Sequence, residues 1–173
     1  MTPTIRAAVA DDLAAIQAIY AHHVLHGTGT FEETPPDLAE MTARFAAVAQ
    51  HNLPWLVVEQ DGRVLGYAYA TPFRPRSAYR FTVEDSVYVA PDAQRLGLGV
   101  QLLTALIAAC ETRGLKRLLA VIGDRENAGS ISLHQRCGFS HQGVLTGVGW
   151  KFGRWLDIVL MERCLEGETA PPS

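Results

Sequence analysis

The chain is predicted to fold as an α/β protein with a mixed, mostly antiparallel central sheet flanked by helices, and three observations predict it. Two amphipathic helical patterns come first, with apolar stripes at Leu13, Ile16, Ile19 and Tyr20 and at Leu38, Met41, Phe45 and Val48. Short β-branched and aromatic runs joined by tight turns follow, as in antiparallel hairpins. A strand-helix-strand-helix stretch then leads to a closing hairpin, and its strand 118–122, apolar throughout, reads as covered on both faces.

Taken in order, the opening Met1-Thr-Pro-Thr-Ile-Arg leads straight into a helical pattern, and Asp11-Asp12 starts a first helix that runs to about Val24. His22 and His26 have the i, i+4 spacing of two metal ligands, but no carboxylate completes the pattern, so with His23 they read as a solvated helix end and no metal is expected. After a loop at 27–33, Thr34 reads as the N-cap of the second helix, with Pro35 at the first helical position and Asp37 at the third. Strands at 55–59 and 64–70 are joined through Asp61-Gly62, a hairpin signal. Residues 71–80 hold two prolines and are expected to be irregular; their Arg74, Arg76 and Arg80 make either an anion clamp or a solvated basic loop.

A strand at 81–89 precedes a helix that begins near Leu98, turns Leu102, Leu103, Leu106, Ile107 and Cys110 inward, and stops at Gly114. Asn127-Ala128-Gly129-Ser130 opens a short helix through Arg136. Gly138-Phe139 turns into a strand at 140–145, 147–153 is a loop, and 155–163 is the last strand. A single domain is expected over 1–166, with a polar, Pro-rich, disordered tail at 167–173.

At 173 residues the chain is long enough to bury a sizeable core. A net charge of −3 gives no global attraction to nucleic acid or to an anionic membrane, and neither partner is expected. Without an 18-residue apolar run or the apolar core of a signal peptide, the cytoplasm is the expected location. Cys110, Cys137 and Cys164 lie far apart without CxxC spacing and read as buried reduced thiols.

The stretch 87–100 reads as strand, turn and helix, with Gln94-Arg95-Leu96-Gly97-Leu98-Gly99 between strand and helix. Glycines let backbone approach a ligand closely, and the first N–H groups of a helix suit an anion such as a pyrophosphate. A P-loop is excluded because the chain has no Gly-Lys dipeptide, and a dinucleotide fingerprint because Leu102 stands where its third glycine belongs.

What remains, Gln/Arg-x-x-Gly-x-Gly after a strand, resembles the acetyl-coenzyme A loop of the GNAT family of N-acetyltransferases. Three further signatures fall in that family's order: the strand 82–89, the strand 118–122, and Asn127-x-x-Ser130-x-x-Leu133-His134-x-x-Cys137-Gly138-Phe139. His134 stands where many members carry a tyrosine able to protonate the leaving thiolate. Histidine there, Glu84 before Ser-Val-Tyr-Val, and the segment 149–157 together resemble the phosphinothricin and methionine sulfoximine N-acetyltransferases, over about residues 5–165.

The resemblance implies acetyl-coenzyme A as co-substrate, a small amine as acceptor and a homodimer. Backbone groups of Val87, Tyr88 and Val89 would hold the pantetheine arm, the turn Arg95, Leu96, Gly97, Leu98, Gly99 and Val100 the pyrophosphate, and Asn127 and Ser130 the pantetheine end. Strand alternation puts Glu84, Ser86 and Tyr88 on one face and Asp85, Val87 and Val89 on the other, so one of the two adjacent carboxylates faces the acceptor. The family match selects Glu84 as the base; His134 is either a second base or the acid. An acceptor carboxylate calls for arginine, hence Arg74, Arg80 and Arg76, with Thr30, Phe31 and Glu32 as a wall. Lys151 and Arg154 belong either to this site or, with Trp150, Phe152 and Trp155, to a dimer interface.

Overall fold

The computed structural model describes residues 2–165. Their elements are β1 (Thr4–Ala7), α1 (Leu13–His26), α2 (Leu38–Gln50), β2 (Trp55–Gln60), β3 (Arg63–Pro72), β4 (Thr82–Val89), α3 (Leu98–Thr112), β5 (Arg117–Gly123), α4 (Ala128–Arg136), β6 (Ser140–Lys151) and β7 (Arg154–Cys164). The strands form one sheet in the order β1-β2-β3-β4-β5-β7-β6, in which only β4 and β5 pair in parallel. This is the mixed, mostly antiparallel sheet expected from the hydrophobic pattern. The proposed tail at 167–173 lies outside the described residues.

Cross-strand partners point to the same face of a sheet, which assigns the helices to its two sides. Tyr67 faces Tyr88, and Tyr69 faces Ser86. Tyr20 of α1 packs edge-on to Tyr88, while Phe45 of α2 packs on Trp55, which stacks on Tyr69. So α1 and α2 cover this face. The neighbouring positions Gly66 and Val89 point the other way, where Leu102 of α3 lies against Gly66. Val57, Val58, Ala68 and Leu118 are fully buried between the two layers.

Four departures from the sequence expectation have local causes. Residues 4–7 form an edge strand against β2 instead of leading into α1; four residues are too short to show a period. The cap of α2 is Asp37, whose Oδ1 accepts from Glu40 N–H at 2.8 Å, and not Thr34. Pro36 drives Pro35 to extended backbone, so the helix cannot begin there. The expected loop at 147–153 is mostly strand, because β6 resumes after an irregularity between Leu145 and Gly149 and turns over Phe152-Gly153. Both turn residues have positive φ, 53° and 72°, as a two-residue hairpin turn requires. Cys164 is exposed, unlike Cys110 and Cys137, and accepts from Arg117 NH1 at 2.8 Å.

Arg6 ties the edge of the sheet together. Its guanidinium donates to Asp12 at 2.7 and 2.9 Å and to Glu59 at 2.6 and 2.8 Å, joining β1, the turn Ala10–Asp12 and β2. Asp12 does not cap a helix; its carboxylate closes back on Val9 N–H. The Arg6 hydrogen bonds hold the Asp12 carboxyl below its ordinary range. A depressed carboxyl stabilises the fold above its unfolded pKa, and that contribution is lost as pH falls through the folded value. Arg6→Met is therefore expected to lower stability by about 1–2 kcal/mol at pH 7, with the deficit shrinking below about pH 4, as read by denaturant unfolding of both proteins across that range.

Candidate active site

The register of β4 creates the site. Its partnership with β5 covers Thr82 to Glu84 and then ends, although β4 runs on to Val89 and β5 to Gly123. Pairing with β3 stays continuous from Gly66↔Val89 to Pro72↔Val83, without a bulge. Ala90 N–H donates to Leu65 O, and Thr82 O accepts from Phe73 N–H, so even-numbered residues spend their amide groups on β3. By the same alternation Val87 and Val89 turn theirs toward the side that β5 has left. A groove of about 1090 Å³ opens there. Its walls are this edge of β4, the start of α3, the end of β5, the start of α4 and the segment 27–31.

At one end stands the turn before α3. Arg95 and Gly97 both adopt positive φ, 64° and 75°, which brings the chain round tightly enough to start a helix at Leu98. The first intrahelical bond is Gln101 N–H to Gly97 O, so the N–H groups of Leu98, Gly99 and Val100 have no partner within the helix. Arg95 and Leu96 are exposed beside them, while the Leu98 side chain is in the core. These free donors, with the helix dipole behind them, form an anion seat.

Further along, Glu84 occupies the point where β4 parts from β5. Its carboxyl is half-buried in the groove; burial, then the neighbouring Asp85 charge, push it above the ordinary glutamate value, against a smaller pull from Arg74. Asp85 points to the opposite face and is buried on α4, where both of its oxygens meet His134 Nε2 at 3.0 and 3.1 Å. The two adjacent carboxylates are thus separated as strand alternation requires, and His134 engages Asp85.

The wall opposite β4 is held from behind. Lys151 is only 1% exposed, and its ammonium donates to the carbonyls of Gly27 and Thr30, each at 2.8 Å. Burial pulls the Lys151 amine below its ordinary value. Thr28 donates to Asp124 at 2.8 Å, the Thr30 hydroxyl bonds Tyr20 at 2.8 Å, and Arg154 also reaches Asp124 at 3.3 Å. A methyl group at Gly149 would overlap the Phe31 ring, and one at Gly123 the Thr28 carbonyl, so both glycines are needed for the segment to lie this close.

Most of the residues singled out in the sequence come together here. Thr30, Phe31, Glu84, Val87 to Val89, Arg95, Gly97 to Val100, Asn127, Ser130 and His134 all line the groove. Asn127 Oδ1 is already spent in capping α4 at Ser130 N–H. Glu32 is turned away to pair with Arg44 at 2.7 Å. Arg74, Arg76 and Arg80 are exposed outside the groove lining; Arg74 lies over the Phe73 ring, and Arg80 donates to Ser77 O. His23, read as part of a solvated helix end, lines the groove instead, with Nε2–H on Val89 O at 2.8 Å. Its spacing from Ile16, Ile19 and Tyr20 already puts it on the inward stripe of α1. Among the described residues no cluster of three or more His, Cys, Asp or Glu side chains is suited to a metal.

A strand edge left open, free helix N–H groups at one end and a half-buried carboxylate at the other are features that suit an acyl-transfer enzyme taking a pantetheine thioester. The comparisons agree. The model of the Acetyltransferase (GNAT) family matches residues 16–139. A phosphinothricin N-acetyltransferase of Alcaligenes faecalis is 58% identical over 170 residues, covering 98% of this chain and 86% of that protein. An L-methionine sulfoximine/L-methionine sulfone acetyltransferase of Pseudomonas paraeruginosa is 45% identical over 173 residues, covering 99% and 100%. The crystal structure of a GNAT superfamily phosphinothricin acetyltransferase from Sinorhizobium meliloti, in complex with acetyl-coenzyme A, superposes with a TM-score of 0.95 at 46% identity, covering 100% of this chain and 94% of that one. The chain belongs to the GNAT acetyltransferase family and is an acetyl-coenzyme A-dependent N-acetyltransferase.

The Lys151 ammonium holds two groove-wall carbonyls that no strand or helix satisfies. Lys151→Met should leave the protein folded but loosen 27–31, with kcat/KM for the amine falling about ten- to a hundredfold in steady-state assays; unchanged kinetics would limit the lysine to a filling role.

Proposed function

We propose that residues 1–166 form one N-acetyltransferase domain that moves the acetyl group of acetyl-coenzyme A directly to the amino group of a small amino-acid-like acceptor of the phosphinothricin, methionine sulfoximine or methionine sulfone type. The observation that carries this reading is the position of Glu84, half-buried at the junction of β4 and β5, with its carboxyl raised by burial above the ordinary glutamate value. The names and identities of the relatives support the acceptor class.

In this reading the open amide groups of Val87 and Val89 pair with the pantetheine arm as a further strand, and a β4 N–H polarises the thioester carbonyl. His23 already covers Val89 O, which leaves the Val89 N–H and the Val87 groups for the arm. Arg95 and the free N–H groups at the start of α3 take the pyrophosphate. The thioester supplies an activated acyl group; this chain supplies alignment and proton handling. An α-amino group with a reference pKa of about 8 is mostly protonated at pH 7, so Glu84 accepts its proton, directly or through a water, before or as nitrogen attacks the carbonyl carbon. A raised carboxyl pKa makes Glu84 a stronger base, yet one that is lost as pH falls through the raised value.

Arg74 is the first choice for the acceptor's acidic group, since its charge is felt at Glu84; Arg80 and Arg76 lie on the same loop. Thr30 and Phe31 form the facing wall. Acetylation of protein N-termini or of other small amines is the alternative within enzymes. We also propose a homodimer, supported by Trp150, Phe152 and Trp155, which are 52%, 55% and 66% exposed on one hairpin. Trp155→Glu is expected to shift the protein to monomer in sedimentation velocity, and a monomeric parent would remove the idea.

Glu84→Gln is expected to lower kcat by about 10²- to 10⁴-fold while acetyl-coenzyme A binds nearly as before. Thiol release is the assay, over phosphinothricin, methionine sulfoximine, methionine sulfone, amino acids, polyamines and peptides. Turnover unchanged in the variant would take Glu84 out of the mechanism. Tight acetyl-coenzyme A binding without thiol release to any of these acceptors would discard the proposed acceptor class.

A further inference from the structure

We infer that Asp85 and His134 form a buried carboxylate–imidazolium pair, and that Asp85 is a positioning residue that keeps His134 doubly protonated, fitted to give a proton to the departing sulfur and unfit to take one from the amine. The inference deepens the proposed acetyl transfer and rests on that reading for the direction of proton flow.

Three distances carry it. His134 Nδ1 lies 2.7 Å from the Ser130 carbonyl, which can only accept, so Nδ1 bears a hydrogen. Nε2 lies 3.0 and 3.1 Å from the two Asp85 oxygens, and both side chains are 4% exposed. A bare Nε2 would set its lone pair against the carboxylate. A protonated Asp85 would favour one oxygen, whereas the near-equal distances fit one N–H shared across a delocalised carboxylate. Burial by itself would lower the histidine pKa and raises that of Asp85, but the hydrogen bond and charge of Asp85 carry the histidine above its ordinary value.

The surrounding groups do not compete for that proton. On β4, Glu84 points to the other face of the strand. On α3, burial pushes the Cys110 thiol up to about 12, and just after α4 burial raises Cys137 as well, so both thiols stay protonated near neutrality. Arg136 is exposed, and Arg163 of β7 donates to the Cys137 carbonyl. The Phe139 ring closes the histidine edge-on at 4.9 Å.

Ser130 lines the groove with its hydroxyl 3.4 Å from Nδ1, and it is the route to the sulfur. Glu84 passes the ammonium proton to solvent before attack and takes the second proton from the nitrogen as the adduct collapses; as the acyl–sulfur bond breaks, the Ser130 hydroxyl gives its proton to the coenzyme A thiolate and takes the one on Nδ1. The pair is left as neutral imidazole and carboxylate, with an Nδ1 lone pair facing a carbonyl. Solvent, which receives the proton from Glu84, then restores it.

The test is ¹⁵N spectroscopy of ring-labelled histidine in the substrate-free protein at pH 7.5, assigned with His134→Gln. The parent should show both His134 nitrogens protonated; a ring with one proton overturns the inference whether or not Asp85→Asn folds. Asp85→Asn should convert the ring to the form protonated at Nδ1 alone and move the alkaline limb of kcat down by about 1–3 pH units, with the KM for acetyl-coenzyme A changed less than about twofold. A limb that stays in place denies Asp85 this role. Ser130→Ala should lower kcat with the ring signals unchanged; undiminished kcat removes the serine route. An absence of phosphinothricin turnover in the parent would count against the acceptor reading alone, because the ring spectrum is read without substrate.

Discussion

The whole site depends on a β-ladder that stops early. A strand in the middle of a sheet normally spends its amide groups on both neighbours, and β4 does so only as far as Glu84. Beyond that point β3 still holds every even-numbered residue, so the strand cannot curl away, while the odd-numbered amides face the groove, where His23 covers the Val89 carbonyl. An unpaired edge inside a sheet is a ready template for an extended ligand with alternating donors and acceptors, which a pantetheine arm is. The same break leaves Glu84 at the mouth of the gap and delivers α3 and α4 with their N-termini beside it.

Holding such a gap open costs backbone hydrogen bonds elsewhere, and the chain supplies donors from unusual places. The segment 27–31 is neither strand nor helix, yet its carbonyls at Gly27 and Thr30 are buried against β6. A lysine ammonium satisfies both, and Thr28 and Tyr20 anchor the segment sideways. Removing a charge from water is unfavourable, so a buried Lys151 is retained for the geometry it imposes more than for stability. Asp124 takes part at positive φ, 73°, gathering Thr28, Arg154 and the Glu126 N–H at the end of β5. Buried charge thus collects around the groove.

Neighbouring carboxylates meet opposite fates through one rotation of the strand. Glu84 faces the groove without a strong partner, and burial makes it basic. Asp85 meets an imidazole across β4 and α4, and the two side chains satisfy each other's hydrogen bonding. Had the register slipped by one residue, the short carboxylate would lie at the gap and the long one against His134. The uninterrupted β3–β4 pairing excludes that slip.

Much of this was legible in the sequence because it is local. Period-two and helical patterns announced the strands and helices from β2 to β7, Gly97 and Gly99 announced the turn before α3, and alternation separated Glu84 from Asp85. The strand β1 was hidden because four residues carry no period, and the true cap of α2 because proline signals are read the same way in a loop and in a first turn. What the sequence by itself determined, then, is the order of elements, the kind of anion the α3 turn suits and the face on which each β4 side chain lies. Only the tertiary structure decided where the β4–β5 ladder ends, that His134 meets Asp85, that His23 enters the groove, that Lys151 turns inward, and that Arg76 and Arg80 stay on the surface. The reason is one of range: periodicity and turn chemistry act over a few residues, whereas the contacts of His134, His23 and Lys151 join positions 49 to 124 residues apart, and nothing in either partner's neighbourhood names the other.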